Sequence, residues 1–471
     1  MKRIHYGLSG GLSEGDLGAL HEHAMEVLGT VGFEVSNAAM LEFLAARPGY
    51  SVDGQRVRFS RALLEECVQE SRAAGEARQA APPREAEWLV TVLSGYATHV
   101  ADWRAGGVRP MSEGDVVELT RLVDVLHDQG VRGSTAGVPQ GAPPEMRDLL
   151  CFRIGAEQCR EGGVVNISSL ASAEWLYRMA EVLGQAPSLG VFVVNPLRAE
   201  GATFDALFAY RDRLHAVGVG CMPLMGLSAP VQVLGAFTMA VASVWGAWAI
   251  ARELTGQRQF AVECRIWPVS MRSLGVVYGT PEMVLADLVS AQVHEFYGWE
   301  RPDADAFHSS AHLADQQAAS QRGAYGMAMA LAGRRTFRFG GLLGVDLVFS
   351  PVQLLADLEL VRYYRHVVEG FSFGEEAFCL EAIREVGPAG SFLEHETTLR
   401  GFREVLWDSA RWTSTPLARW LPDGARSFAD RAAEEIEALI AQHAFRLPDD
   451  QAREIARLYA EAEEALLRRS G

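Results

Sequence analysis

The chain of 471 residues carries only six cysteines, at positions 67, 151, 159, 221, 264 and 379, and none stand in C-x-x-C spacing. That scatter excludes a disulfide framework or a paired-cysteine zinc site and points to reduced thiols in a cytoplasmic protein. The opening "MKRIHYGLSGGLSEGD" lacks an apolar h-region, so no secretory signal is expected. No G-x-G-x-x-G follows a first strand and no G-x-x-x-x-G-K-[ST] occurs, which leaves a doubly wound nucleotide-binding sheet without support. The H-E-x-x-H of zinc peptidases is missing too, as are low-complexity segments and short repeats. Basic charge is in deficit, with 43 basic against 60 acidic side chains and a formal net charge of -17. Such a surface repels nucleic acid and attracts a small cation or a basic protein patch. One apolar run, "VQVLGAFTMAVASVWGAWAI" (231–250), has the length of a membrane span. It is rich in Ala and Gly, follows Pro230 and precedes Arg252 and Glu253, so it reads as a buried helix and not as a membrane segment.

What is present suits a well-buried globular protein, with 49% hydrophobic and 22% charged residues. Residues 14–73 read as helical, interrupted by the alternating pieces "FEVS" (33–36) and "RVRFS" (56–60) with a turn at Gly54. "APPREAEW" (81–88) reads as a connector. Apolar, β-branched runs then alternate with amphipathic stretches: 89–102, 131–139, 163–169, 190–196, 217–226, 259–267, 304–310 and 336–343. Helical patterns lie between most of them, including "SEGDVVELTRLVDVLHD" (112–128), which begins on a Ser cap. Eight strand candidates separated by helices predict an α/β protein of the (β/α)₈ TIM-barrel type. The expected division is an N-terminal helical region with a small β element (1–85), the barrel (86–345) and a mainly helical C-terminal region (346–471).

Barrel active sites lie at the carboxyl ends of the strands. That rule selects Tyr96, His99, Asp102, Asn166, Asn195, Met222, Met225, Glu263, Arg265, His308, His312 and Arg338. Glu263 sits among apolar residues in "FAVECRIW", either ion-paired with Arg265 on its own face or free to hold a cation or shuttle a proton. Asn166 and Asn195 suit a substrate carboxylate or a helix cap. In "PDADAFHSSAHLADQQA" (302–318) His308 is expected to end the seventh strand, with His312 just beyond it. A metal there would need a third ligand from Glu263, Asp303 or Asp305, and the expectation is that none is bound. Tyr96, Trp103, Trp267, Tyr278 and Phe307 are rings that box a quaternary ammonium or simply pack.

Six further stretches lie in order along nearly the whole chain: "LHEHAMEVLGTVGFEVSN", "VADWRAGGVRPMSEGDVVELTRLVDVL", "PLMGLSAPVQVLGAFTMAVA", "SLGVVYGTPEMVLADLVSAQVHEFYG", "DQQAASQRGAYGMAMALAG" and "REVGPAGSFLEHETTLRGFR". Together they resemble the trimethylamine–corrinoid methyltransferase family, in particular its glycine-betaine-type members that lack pyrrolysine. The resemblance implies a barrel that strips a methyl group from a small methylated, usually quaternary, amine. The acceptor it implies is the Co(I) of a corrinoid on a separate carrier protein, with no cofactor bound tightly in this chain and no membrane or nucleic acid involved. In that reading Glu263, His308 and His312 are catalytic, and Tyr96, Asp102, Asn166, Asn195, Met225, Arg265, Trp267 and Phe307 bind substrate. A homo-oligomer is expected. The chain departs from the family's pattern in three places. Ser310-Ala311-His312 stands where the family usually has Asp-small-Lys, Ser270 replaces an Asp, and Thr397-Thr398 replaces a His-Thr pair. These departures keep two alternatives open: a barrel enzyme repurposed to act without corrinoid, and a non-catalytic binder of a cationic metabolite.

Overall fold

Capping and periodicity account for the helices that frame the site. Ser112 accepts a hydrogen bond from the Asp115 backbone N–H at 3.2 Å, and the Asp115 carboxylate accepts one from the Ser112 N–H at 2.8 Å. This capping box starts the helix Glu113–Leu126, which buries Val116, Leu119, Leu122, Val123 and Leu126 on one face. Each of those side chains contributes roughly 1.5–3 kcal/mol on leaving water. The apolar run seen in the sequence is the helix Val233–Thr255, long enough to cross a membrane by length and composition, yet mostly buried. Its small residues serve close packing, since a Cβ on Gly246 would lie 2.3 Å from the Phe33 ring.

The computed structural model describes residues 2–80 and 87–468. Most of the expected connector 81–88, and the expected boundary at 85/86, lie outside the described residues. The protein is α/β, and helices hold about half of it. Near the N-terminus the strands Tyr50–Asp53 and Arg56–Phe59 form an antiparallel hairpin turned at Gly54, and Arg56–Phe59 also pairs with Phe33–Val35. The strand 50–53 was not anticipated, because "YSVD" is too short and too polar to stand out.

The main strands pair in parallel, some with a sequence neighbour and the last with the first. Thr336–Arg338 pairs with Leu89–Thr91, which pairs with Val131–Arg132. Ser188–Val193 pairs with Ala216–Cys221, which pairs with Ala261–Cys264. Ala304 bridges to Phe337. In Ser188–Val193 the residues Leu189, Val191 and Val193 are buried while Ser188, Gly190 and Phe192 are exposed, the two-residue period of a strand with one packed face.

Two expected strands do not form as such. Residues 163–169 make no ladder, because their polar groups are taken by side chains. Ser134 Oγ donates to the Gly162 carbonyl at 2.6 Å, Gln185 to Gly163 at 3.1 Å, and the Ser168 N–H donates to Asp148 at 2.9 Å. Residues 304–310 keep only the bridge at Ala304 before the chain turns, so His308 does not end a strand. The expected boundary at 345/346 falls inside the antiparallel pair Leu342–Leu343 and Val348–Phe349.

Candidate functional site

Strand register aligns three residues on one sheet face, of which Phe192 is exposed, Glu263 partly buried and Gly220 buried. Phe192, Gly220 and Glu263 are Cα partners across Ser188–Val193, Ala216–Cys221 and Ala261–Cys264. Partners in parallel strands point the same way. Gly220 has no side chain, so the Phe192 ring leans over it: a Cβ there would lie 2.8 Å from Phe192 Cε1. Next in the row the Glu263 side chain is 23% exposed, whereas Asp287 and Asp305 are each 1% exposed. Glu263 is therefore the accessible carboxylate of a buried charged cluster.

Arginines on neighbouring strands anchor that cluster. Arg338 contacts Glu263 Oε1 at 3.3 Å and Asp305 Oδ1 at 3.4 Å. Arg265 contacts Asp287 at 2.8 Å, Asp305 at 3.0 Å and Glu263 at 3.7 Å, and donates to the Asp303 carbonyl. Burial raises the Glu263 carboxyl, but Arg338 and Arg265 outweigh it and hold the group below its ordinary value. Asp305 goes the other way: burial raises it, and Arg265 and Arg338 offset that only in part. Five carboxyl groups (Glu263, Asp287, Asp303, Asp305 and Asp346) outnumber the three guanidinium groups of Arg265, Arg334 and Arg338 around this cluster.

His308 lies in the same nest. Its ring is 1% exposed, and Nδ1 donates to Asp346 Oδ1 at 2.9 Å, while Nε2 faces Asp305 Oδ2 at 4.0 Å. Phe339 lies 3.4 Å away between centroids, Tyr278 4.1 Å and Trp267 5.0 Å, the last edge-on. Burial, then Asp346 and Asp305, push the Tyr278 phenol well up. The loop that delivers Asp346 is strained: Gly344, Val345 and Asp346 all have positive φ, at 59°, 57° and 66°. A β-branched valine in that region is unusual, and the turn persists because Gly344 and Val345 donate to the Ala311 and Ser309 carbonyls. Tyr96, 46% exposed, sets its ring edge-on to Phe339 at 5.9 Å, and the burial of its inner part, followed by the charge of Glu263, raises its phenol.

The structure thus gathers Glu263, Arg265, Trp267 and His308, with Tyr96 at their edge. Other expected residues lie elsewhere. His312 is exposed, its ring beside Gly344 on the outside of the turn that delivers Asp346, while His308 is buried on the inside of it. Among the described residues no group of three or more His, Cys, Asp or Glu side chains is arranged to hold a metal ion. Phe307 points into the core, stacked on Phe337 at 5.6 Å with the Arg322 guanidinium 5.4 Å from its ring. Asn195 accepts from Ser243 of the long buried helix at 3.0 Å and donates to the Val193 carbonyl, which fixes a turn. Asp102 accepts from the Arg104 and Ala105 N–H groups and from Arg109 at 2.8 Å, which occupies it in a surface hairpin. Met225 is buried in the core beside Pro268. Asn166 is exposed, its amide over the Cα of Gly95. Sequence reasoning missed Phe192, Gly220, Asp346 and Phe339, and it weighed Asp305 only as a metal ligand and Tyr278 only as a ring.

A family model described as trimethylamine methyltransferase (MTTB) matches residues 9–465. The glycine betaine methyltransferase of Desulfitobacterium hafniense (strain Y51) is 24% identical over 410 residues, covering 84% of this chain and 85% of that protein. The trimethylamine methyltransferase MttB of Desulfitobacterium hafniense (strain DSM 10664 / DCB-2) is 21% identical over 450 residues, covering 92% and 90%. Among solved structures, the monomethylamine methyltransferase (MtmB) of Methanosarcina barkeri aligns over 92% of this chain and 89% of its own at 13% identity, with a TM-score of 0.48.

Proposed function

The chain belongs to the trimethylamine methyltransferase family, and from that premise we propose that it takes a methyl group from a quaternary amine or betaine-like substrate and passes it to the Co(I) corrinoid of a carrier protein. The observation that carries this reading is the row Phe192–Gly220–Glu263, where a partly exposed aromatic ring lying over a glycine shares a sheet face with an ionised carboxylate. A quaternary ammonium on the open face of that ring gains from the ring, by about 0.5–2 kcal/mol, and from the carboxylate. It has no N–H to donate, so a site built of rings and charge suits it better than one built of hydrogen-bond acceptors. The excess of negative charge around Glu263 favours a cation further.

In this reading the eight β/α units close into a (β/α)₈ barrel over 86–345, with 1–85 and 346–471 packed upon it. The parallel order supports it, since the eighth strand Thr336–Arg338 pairs with the first, Leu89–Thr91. The corrinoid is a second substrate brought by its carrier, and its Co(I) supplies the nucleophile. This chain's residues bind and orient the amine. Glu263 neutralises the cation, Arg338 and Arg265 keep Glu263 ionised, and Tyr96 and Phe192 keep water from the N–CH₃ bond. His308, held by Asp346, lines the wall with Tyr278 and Phe339. Around the mouth, Met222, Leu227, Val231, Met271, Leu274 and Leu313 are exposed apolar side chains on loops, a surface suited to a docking carrier. The setting we infer is the cytoplasm, since all six cysteines are free thiols.

The test is to add Co(I) cobalamin and a panel of methylated amines and follow methyl–cobalt absorbance, with amine binding measured by calorimetry. We expect glycine betaine or another quaternary amine to bind and react, and Glu263→Gln to weaken binding about 10–100-fold, worth about 1.4–2.7 kcal/mol. If no quaternary amine binds and none is demethylated, the reading fails.

A further inference from the structure

A cavity of about 450 Å³ opens on the sheet face that carries Glu263, within the range of ligand pockets, about 300–1,000 Å³. Ser188, Gly190, Gly218 and Ala261 line it. Gly190, Gly218 and Ala261 are Cα partners, and each stands two residues before Phe192, Gly220 or Glu263 on its strand. They therefore share the face of that row and lie roughly 6–7 Å nearer the amino ends of the strands. Ala261 is exposed in the cavity wall, and Glu263 is the next residue on that side of the same strand. Leu189, Val191, Val217 and Val219 turn the other way, into the core they share with the helix Val233–Thr255.

Nothing in the backbone asks for glycine in this wall. Neither Gly190 nor Gly218 has a positive φ, and an added Cβ would find its nearest neighbour 3.9 Å away on the first and 3.7 Å on the second, which is ordinary contact. Glycine weakens a strand, and bulky branched side chains normally fill the interior layers of a closed barrel. What the two glycines supply is open space. The outer end lies beneath the strands, because His215 and Phe260, which also line the cavity, stand immediately before Ala216–Cys221 and Ala261–Cys264. Glu300 is exposed at that end, while Arg78 is tied to the Gly298 carbonyl. The entrance thus keeps an acidic side chain for a cation.

We propose that this cavity is the outer part of a passage through the barrel, by which the small amine reaches and leaves Glu263 from the amino ends of the strands while a corrinoid covers the carboxyl rim. The inference rests on the methyl-transfer reading of the site. In-line attack needs the cobalt, and with it the whole corrin ring, across the mouth above the N–CH₃ bond. The demethylated amine is then left on the Glu263 side of the corrinoid, and the next amine has to arrive on that side as well. A passage from below lets the two exchange while the corrinoid stays in place, so neither substrate blocks the other. Phe192 is the one ring that these three strands set beside the route. It leans over Gly220, and a Cβ on Gly190 would lie 3.9 Å from its Cε2.

Ala261→Cys in a Cys379→Ser background carries one exposed thiol, since the other five native cysteines are buried. A bulky maleimide added after folding plugs the cavity there, and the probes are glycine betaine and free cob(I)alamin. The unlabelled protein is expected to transfer methyl groups without inhibition as cobalamin is raised to saturation. In the labelled protein excess cobalamin should slow transfer at least about tenfold, while calorimetry finds betaine bound as tightly as before, because a closed passage slows entry and exit alike. Should Ala261→Cys fail to fold, Ser188→Cys, exposed on the same wall, takes its place. Equal rates with and without the label at saturating cobalamin overturn the passage, as does inhibition of the unlabelled protein by cobalamin. A label that abolishes betaine binding makes the cavity part of the binding site and overturns the passage too. If no quaternary amine binds the unlabelled protein, the reading of the site itself falls, whereas failure of the passage alone leaves that binding intact.

Discussion

A single methyl group at position 220 tests whether the row across the three strands is used. In Gly220→Ala the new Cβ would meet Phe192 Cε1 at 2.8 Å, and the partly exposed ring must tilt away from its present place beside Glu263. We expect KM for the amine to rise at least about tenfold with kcat nearly unchanged, since such filling removes binding shared by ground and transition states. Stability should shift by less than about 1 kcal/mol, because the clash is with a surface ring and not with the core. Unchanged KM would place the substrate elsewhere. Glu263 was legible in the sequence because a carboxylate inside "FAVECRIW" needs a reason. Phe192 and Gly220 were not, because alternation tells which face a residue takes and not which residue stands beside it on the next strand. Phe307 and His308 show the same limit. Consecutive residues point to opposite sides, and the chain spends Phe307 on the core to aim His308 at Asp346. Asp346 had no signal at all, since a left-handed turn through Val345 cannot be read from residue types that avoid it.

Helices were the most readable elements, because caps and apolar stripes are local. Ser112, Asp115 and the stripe from Val116 to Leu126 place the helix Glu113–Leu126 without reference to the rest of the chain. The strands were read where they alternate and over-read at 163–169, where Ser134, Gln185 and Asp148 bond the backbone of 162–168 in place of a neighbouring strand. One junction between elements has a pH signature. His294, in the last turn of the helix Pro281–Phe296, donates from Nδ1 to the Glu300 carbonyl at 2.7 Å and accepts at Nε2 from the Cys264 N–H at 3.4 Å. Burial lowers it from 6.5 to about 3, so the folded protein keeps the ring neutral while the unfolded chain protonates it. Its contribution is therefore complete above pH 6.5 and is lost as pH falls towards 3. Across that interval stability should drop by up to about 1.4 kcal/mol per pH unit from this group. Urea denaturation at successive pH values should show a shallower slope for His294→Gln, and equal slopes in the two proteins would mean that another group carries the acid sensitivity.

On the scale of the whole molecule, composition and rhythm indicated an α/β protein with an accessory helical region at each end, and the pairing of Thr336–Arg338 with Leu89–Thr91 is the long-range contact a closed ring of strands needs. The charge of -17 set an expectation about ligands but could not say where the negative potential gathers, which is decided by which carboxylates stay unpaired. The apolar surface likewise has separate concentrations that composition averages away: the segment 371–421, and loops that carry Met222, Leu227, Met271 and Leu274. The loop 269–276 is braced by the bridge between Val269 and Val276 and by the Ser270 N–H donating to the Gly275 carbonyl at 2.9 Å, which holds Met271 and Leu274 outward at 69% and 61% exposure. In Met271→Asp/Leu274→Asp the proposed carrier-docking face becomes charged, while the row Phe192–Gly220–Glu263 is untouched. We expect methyl transfer to a carrier-bound corrinoid to need at least about tenfold more carrier, a loss of about 1.4 kcal/mol. Amine binding and transfer to free cobalamin should stay at wild-type levels. If amine binding falls together with carrier use, the loop serves the substrate itself; if neither changes, the carrier meets the barrel by another face.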